Sequence, residues 1–363
     1  MFLDNNYDII FAIEFIKFTC LEYEFKCETG IMMQNMTIYE IAKIAGVSAS
    51  TVSRVLNNSP NVKEATRKLV LECIDKYHYS PSETARGLIK QSSKMVGILL
   101  PDARIMHHAE SITFIQRELS AMGYCCLVMT TGRDEQERLR CLEILNQRRV
   151  DAAVLMGSSF QLDSIKNAIE KYLSQIPIII ANGYLELPNV YGIISDEYNG
   201  VLECVRLLFE KGRKKLAFIA DYDTPSNQRK IAGFSAGMEK YYREHTPLII
   251  WANGEFHEAC RKVSEFMQKS PNIDGLIFAE DQLAAAGLRA LRDMQISVPD
   301  QVSVIGINNS IITQICNPSL TALDNMSMDM SAAVVNNLIA VLQGRCVVKK
   351  MSLYSRIVER ETT

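Results

Sequence analysis

No stretch of this 363-residue chain approaches the ~20 consecutive apolar residues that would span a bilayer, so no membrane partner is expected. The most apolar N-terminal run, IIFAIEFIKF, is broken by Glu14 and Lys17. Asp4 and Asp8 lead it, so the basic n-region of a secretion signal is missing. There are ten cysteines but no C-x-x-C pair, and several sit in apolar runs such as GYCCLVMT. They read as buried, reduced thiols of a cytoplasmic protein rather than a disulfide framework. No G-x-S-x-G, Walker loop or pair of catalytic carboxylates stands out, so an enzyme is not expected. His107-His108 is the one pair that suggests a metal. Adjacent residues rarely share one ion, and no Cys or carboxylate stands at ligand spacing, so neither metal nor cofactor is expected.

What is present is an ordinary globular composition, 48% hydrophobic and 22% charged, long enough for two or three domains. The net charge is −3, but it is unevenly spread. Met36 to Lys94 holds nine Lys/Arg against five Asp/Glu, a net of +4, which suggests a polyanion partner for that segment. The first thirty-five residues hold six acids and two lysines, a net of −4 that would oppose phosphate contact. Residues 1–35 are therefore expected to be an extension upstream of the native start, with Met33 or Met36 as the first residue.

Thr37 and Glu40 form a capping box at the head of TIYEIAKIAGVSASTVSRVL. Ile38, Ile41, Ala42 and Ala45 make an apolar stripe, and Gly46 ends that helix. Ser48 caps a second helix that points Val52, Val55 and Leu56 inward. Its other face carries only Ala49, Ser50, Ser53, Asn57 and one long cation, Arg54. Two short helices joined by a Gly-containing turn are a helix-turn-helix pattern. A third helix is expected over about Lys63–Tyr77, with Leu69, Val70, Cys73 and Ile74 apolar. HYSPSETARGLIKQSSK then holds one or two helical turns, too short to stand alone, and a linker.

From Met95 the texture changes. The strand candidates are MVGILLPD, YCCLVMTT, DAAVLMGS, IPIIIANG, YGIISD, KLAFIAD, PLIIWANG, DGLIFAED and VSVIGINN. Helical patterns over Ile112–Met122, Glu135–Arg148, Leu162–Leu173, Asn199–Lys211, Lys230–Arg243, His257–Gln268 and Gln282–Met294 separate them. Wholly apolar strands alternating with helices imply parallel sheets covered on both faces. There are too many strands for one mononucleotide-type half, so two lobes are expected, with a ligand beyond the strand carboxyl ends between them.

This order of parts resembles the LacI/GalR family of bacterial transcription regulators from about Met36 to the C-terminus. TIYEIAKIAGVSASTVSRVLN carries the resemblance most specifically, followed by YSPSETARGL, RRVDAAVL, KIAGF, DQLAAAGL and VPDQVSVIGINN. It implies an N-terminal all-α helix-turn-helix DNA-binding domain (36–80), then a hinge helix and linker (81–93). A two-lobed α/β periplasmic-binding-protein-like effector and dimerisation domain with parallel sheets would follow (94–363). The second helix would enter the major groove of an operator. The resemblance places DNA contacts on Thr37, Tyr39, Ser48, Ala49, Ser50, Thr51, Ser53, Arg54 and Asn57. Ala49 and Ser50 would read bases at the helix start, Arg54 would pair with guanine, and Thr37 and Tyr39 would touch phosphates. In the hinge, Ala85 and Arg86 match the family, and Leu88 aligns with the leucine inserted into the minor groove.

The same resemblance places an effector on Asp102, His107, Asp196, Lys230, Asp281 and Asn308. Asp281 fits the family pattern. Lys230 stands where the family carries Arg, Asn308 where it carries Asp, and His107-His108 where it carries an aromatic pair. Arg to Lys at a bidentate site is not conservative, so the effector departs from the usual hexose or purine. The implied protein is a repressor acting as a homodimer on a near-palindromic operator, with a sugar-like small molecule setting its DNA affinity. Some relatives with Lys at this place answer mainly to a phosphorylated carrier protein, so that partner is a second reading. No leucine-heptad segment of a tetramer appears. A solute-binding protein is the rival class. It would need a secretion signal and no DNA-reading module, the reverse of what is seen.

Overall fold

The computed structural model describes residues 36–56, 59–79, 92–243, 246–252 and 255–363. The expected extension at 1–35, and Asn57, Ala85, Arg86 and Leu88, lie outside the described residues. The chain divides into two units at Lys90 and Gln91.

In the first unit α1 spans Ile38–Ile44, α2 Ala49–Leu56 and α3 Glu64–Lys76. The capping box is formed: Glu40 N donates to Thr37 Oγ1 (3.3 Å) and Thr37 N donates to Glu40 Oε2 (2.6 Å). Gly46 turns the chain at φ +62°, a conformation that costs glycine nothing. Ser48 Oγ accepts from Thr51 N (3.2 Å) and starts α2. Ile41, Ala42, Ala45, Val52, Val55 and Val70 form the core. Leu56 packs against it half-buried, and so does Ala49, which the helical wheel places on the outer face. Leu69 is 45% exposed: α3 turns Val70, Cys73 and Ile74 inward and leaves Leu69 off that arc.

In the second unit nine strands fall on the nine expected runs: β1 Met95–Leu100, β2 Cys125–Thr130, β3 Ala152–Met156, β4 Ile178–Ala181, β5 Val190–Ser195, β6 Leu216–Ala220, β7 Leu248–Trp251, β8 Gly275–Phe278 and β9 Ser303–Ile307. Three more were not signalled: β10 Thr321–Asp324, β11 Lys350–Leu353 and β12 Arg356–Val358. The helices are α4 Met106–Ala121, α5 Glu135–Gln147, α6 Asp163–Tyr172, α7 Glu197–Glu210, α8 Pro225–Tyr241, α9 Phe256–Lys269, α10 Asp281–Asp293, α11 Ile312–Ile315 and α12 Ser327–Leu342.

Two six-stranded sheets result, ordered β11-β5-β4-β3-β1-β2 and β12-β10-β9-β8-β6-β7. All pairings are parallel except β10 with β12. In the first lobe, α4 and α12 cover one face of the sheet and α5 and α6 the other. In the second lobe, α9 and α10 cover one face and α7 and α8 the other. With both faces covered, strands such as AAVLM and LAFIA are buried along their whole length.

The chain passes between lobes three times, from β5 to α7, from β10 to α12 and from β11 to β12. One asparagine ties the three passages together. Ser195 Oγ donates to the Asn325 carbonyl (2.6 Å), and Ser355 Oγ donates to Asn325 Oδ1 (3.0 Å).

Eight free cysteines lie among the described residues. Cys141 and Cys204 are buried as expected, but Cys125, on the edge strand β2, and Cys346 are exposed. Among the described residues no helix is long and apolar enough to cross a membrane, and no three ligating side chains cluster for a metal.

Candidate nucleic-acid interface and effector cleft

α2 shows Ser50 and Arg54 to solvent, with Thr51 and Ser53 half-buried beside them. Ser48, Ser50 and Thr51 share a hydroxyl cluster at the helix start, with Ser48 Oγ 2.8 Å from both Ser50 Oγ and Thr51 Oγ1. The first turn carries no acid, so the positive end of the helix is uncompensated there. Tyr39 is 75% exposed on α1, and the Thr37 side chain is engaged in its capping box. The resulting surface has short donors, one long cation and an exposed phenol. It can approach base edges closely and offer a bidentate guanidinium.

The second unit holds a cavity of about 310 Å³ between its lobes. It sits beyond the carboxyl ends of β1, β3, β6, β8 and β9, where Pro101, Gly157, Asp221, Ala279 and Asn308 line it. Hydrogen bonds close the lobes around it. Ser226 N donates to Ser158 Oγ (2.9 Å), Gln282 Nε2 to the Arg104 carbonyl (3.0 Å) and Ile311 N to Glu110 Oε1 (3.0 Å).

Of the six expected effector residues, His107, Lys230 and Asn308 line this cavity. Asp102, Asp196 and Asp281 do not. Asp102 pairs with Arg104 (2.8 Å), whose hydrogen bonds hold its carboxyl below the usual range. Asp196 is the N-cap of α7 and accepts from Asn199 N (3.3 Å). Asp281 is fully buried under α10 and accepts from Ser310 N (2.7 Å). Asp196 and Asp281 each sit at a strand-to-helix turn beside a second carboxylate, and their own oxygens go to backbone amides. Glu197 and Glu280, each one residue away, line the cavity instead, together with Asp221. Asp221 directly follows FIA at the end of β6, so the strand-end rule that selected Asp196 could have found it.

Glu197 is buried and fully engaged. Arg229 lies 2.8 Å from Oε2 and Lys230 3.7 Å from Oε1, while Asn182 and Ser226 both donate to Oε1. Lys230 Nζ also donates to the Ala279 carbonyl (3.0 Å). On one wall Arg133 lies over the Tyr222 ring, 2.9 Å from its centroid.

The two histidines stack at 4.3 Å. Burial pushes both down to about 3, with Lys230 adding to the effect on His107 and His107 adding to that on His108, so both rings are neutral. Their tautomers follow from their partners. Asn325 Nδ2 donates to Asn308 Oδ1 (3.0 Å), so Asn308 Nδ2 donates to His107 Nδ1 (3.1 Å), which accepts. His108 Nδ1 donates to the Asp102 carbonyl (3.3 Å). His107, Asn308 and Asn325 thus link the cavity to the point where the three inter-lobe passages meet.

Residues 37–82 match the bacterial regulatory proteins of the lacI family, and residues 205–363 match the periplasmic binding protein-like domain. An HTH-type transcriptional regulator of Lachnoclostridium phytofermentans is 31% identical over 331 residues, covering 90% of this chain and 99% of that protein. Catabolite control protein A of Priestia megaterium is 25% identical, covering 83% and 91%. The Lac repressor dimer bound to operator and the anti-inducer ONPF shares the fold, with a TM-score of 0.80 at 21% identity over 91% of this chain and 99% of that one. These relatives are regulators of transcription, and this chain belongs to the lacI family of bacterial DNA-binding transcriptional regulators.

Proposed function

We propose that the protein is a repressor that binds a near-palindromic operator as a homodimer, with its DNA affinity set by a small hydroxylated effector in the inter-lobe cavity. The observation that carries the reading is the face of α2, which offers DNA two exposed groups, Ser50 and Arg54, on a helix without an acid in its first turn. Arg54 pairs with guanine, Ser50 and Ser53 contact base edges or sugar, and Tyr39 and Thr37 hold phosphates. Ala49 contributes apolar contact while resting on the core. Asn57, Ala85 and Arg86 add contacts, and Leu88 wedges the central step. A solved relative in the same fold is a dimer bound to operator, which supports the assembly. His107, Lys230 and Asn308 contact the effector, and they sit on both lobes, so a ligand there changes the relation between lobes.

The test is selection of random duplexes by the full chain, followed by affinity against salt. The expected result is an enriched palindrome, with log affinity falling steeply in log salt. Arg54→Ala should flatten one guanine position in each half-site at a cost of about 1–3 kcal/mol. Selection without any enriched sequence, with or without a metabolite mixture, would overturn the reading. Enrichment only when a phosphorylated carrier protein is added would move the control from the cavity to that partner.

A further inference from the structure

The carboxylates of the cavity are not equally served. Glu197 has two cations and two neutral donors around it. Asp221 and Glu280 have no Lys or Arg nitrogen within ion-pair distance among the described residues. Asp221 Oδ1 accepts from Asn227 Nδ2 and from its neighbour's amide, Tyr222 N. Glu280 Oε2 accepts from Gln282 N (3.0 Å) as the cap of α10. Its other oxygen, Oε1, is buried without any hydrogen-bond donor. The group facing Oε1 is His107 Nδ1 at 3.8 Å, and that nitrogen already accepts from Asn308. A lone pair therefore faces a lone pair at a buried oxygen. An unsatisfied buried acceptor is costly, and a buried negative charge without a partner more so.

Burial and the charge of Asp221 push Glu280 up to about 7. Three cations line the cavity, but Glu197 holds Lys230, and among the described residues neither Arg133 nor Arg138 lies within ion-pair distance of Asp221 or Glu280. A neutral hydroxyl would satisfy Oε1 and leave Asp221 and Glu280 without a counter-charge. An anionic group beside those two carboxylates would be repelled. A cationic donor answers both needs at once. The rest of the lining suits hydroxyls and a flat ring edge. Ser159 Oγ is buried and unpartnered, and Thr224, Asn227, Tyr222 and His108 also line the cavity.

We infer that the effector carries a protonated nitrogen among its hydroxyls, an amino sugar or a polyhydroxylated amine of similar size, with the ammonium held by Glu280 and Asp221. The inference rests on the cavity being the effector site. Glu280 is then the residue that selects amine over hydroxyl, since its Oε1 is the buried carboxylate oxygen of the cavity lining left without a donor.

The experiment is calorimetric titration of the full chain at pH 7 with matched pairs: glucosamine and glucose, galactosamine and galactose, mannosamine and mannose, 1-deoxynojirimycin and 1-deoxyglucose. The expected result is that in at least one pair the amine binds tenfold or more tightly than its hydroxyl counterpart. Glu280→Gln and Asp221→Asn should each erase most of that preference while leaving the thermal unfolding midpoint at pH 6 near that of the parent. Neutral members binding as tightly as the amines would overturn the inference, as would no amine binding, or a preference that survives both substitutions. Operator release by a neutral sugar would sink the inference and leave the proposed function standing. Failure to select any operator would strike the proposed function alone.

Discussion

Replacing Glu280 by glutamine should change how stability depends on pH, and the structure sets the sign. A carboxyl raised from 4.5 to about 7 keeps a proton in the folded chain that the unfolded chain has already lost. Its contribution to stability is therefore complete below pH 4.5 and disappears as pH rises through 7, a total of about 3 kcal/mol. The side chain is only 14% exposed, so solvent screening removes little of this. Between pH 6.0 and 8.5 the loss amounts to about 1–1.5 kcal/mol. Glutamine keeps the shape without the charge.

Two neighbouring effects must be separated. His107 and His108, held neutral down to about 3, stabilise above pH 6.5 and lose that contribution as pH falls, the opposite direction. Asp281, also raised by burial, follows the direction of Glu280. The histidines are common to parent and variant and cancel in the difference, whereas Asp281 is raised in part by the charge of Glu280, so the difference reads position 280 together with its effect on Asp281. Thermal unfolding of both across pH 6.0–8.5 reads it. Glu280→Gln should gain about 3–5 °C on the parent over that range for a unit of this size. Parallel profiles, or a variant that falls behind at high pH, would refute the assignment of an unpartnered, proton-holding carboxyl at this place.

Two further outcomes follow from packing and from the inter-lobe network. A Cβ at Gly233 would lie 2.2 Å from the Tyr198 carbonyl oxygen, so Gly233→Ala must push α8 off α7 and should cost about 2–3 kcal/mol, read as a lower thermal midpoint. Asn325→Ala removes the donor to Asn308 Oδ1 and the acceptor of Ser355 Oγ, at a cost of about 1–3 kcal/mol, and frees the Asn308 amide to turn away from His107. Urea unfolding measures the first effect. A change in effector affinity, with operator preference unchanged, measures the second.

Much of the architecture was legible because it depends on local chemistry. The capping box at Thr37 and Glu40, the left-handed turn at Gly46 and the nine apolar strands each follow from residues within one element or its ends. The elements that escaped notice are those whose signal is not local. The β11 sequence KMSL and the β12 sequence RIV are short and half-exposed, and they become strands only because β5 and β10 leave edges for them. α12 reads as a mixed run without a capping side chain, and it is held by the first-lobe core. Helix starts were missed for a similar reason: α8 begins at Pro225 behind Thr224, five residues before the pattern at Lys230 becomes periodic.

The sequence by itself determined the family, the helix-turn-helix and the place of the cleft, since each lies in motifs a few residues long. It could not decide which of two adjacent carboxylates lines the cavity. Asp196 or Glu197, and Glu280 or Asp281, differ by one position at a strand-to-helix turn. The choice between them depends on where the helix axis points once it is packed against its sheet. Only the tertiary structure sets that rotation, and with it which carboxylates line the cavity without a cation beside them.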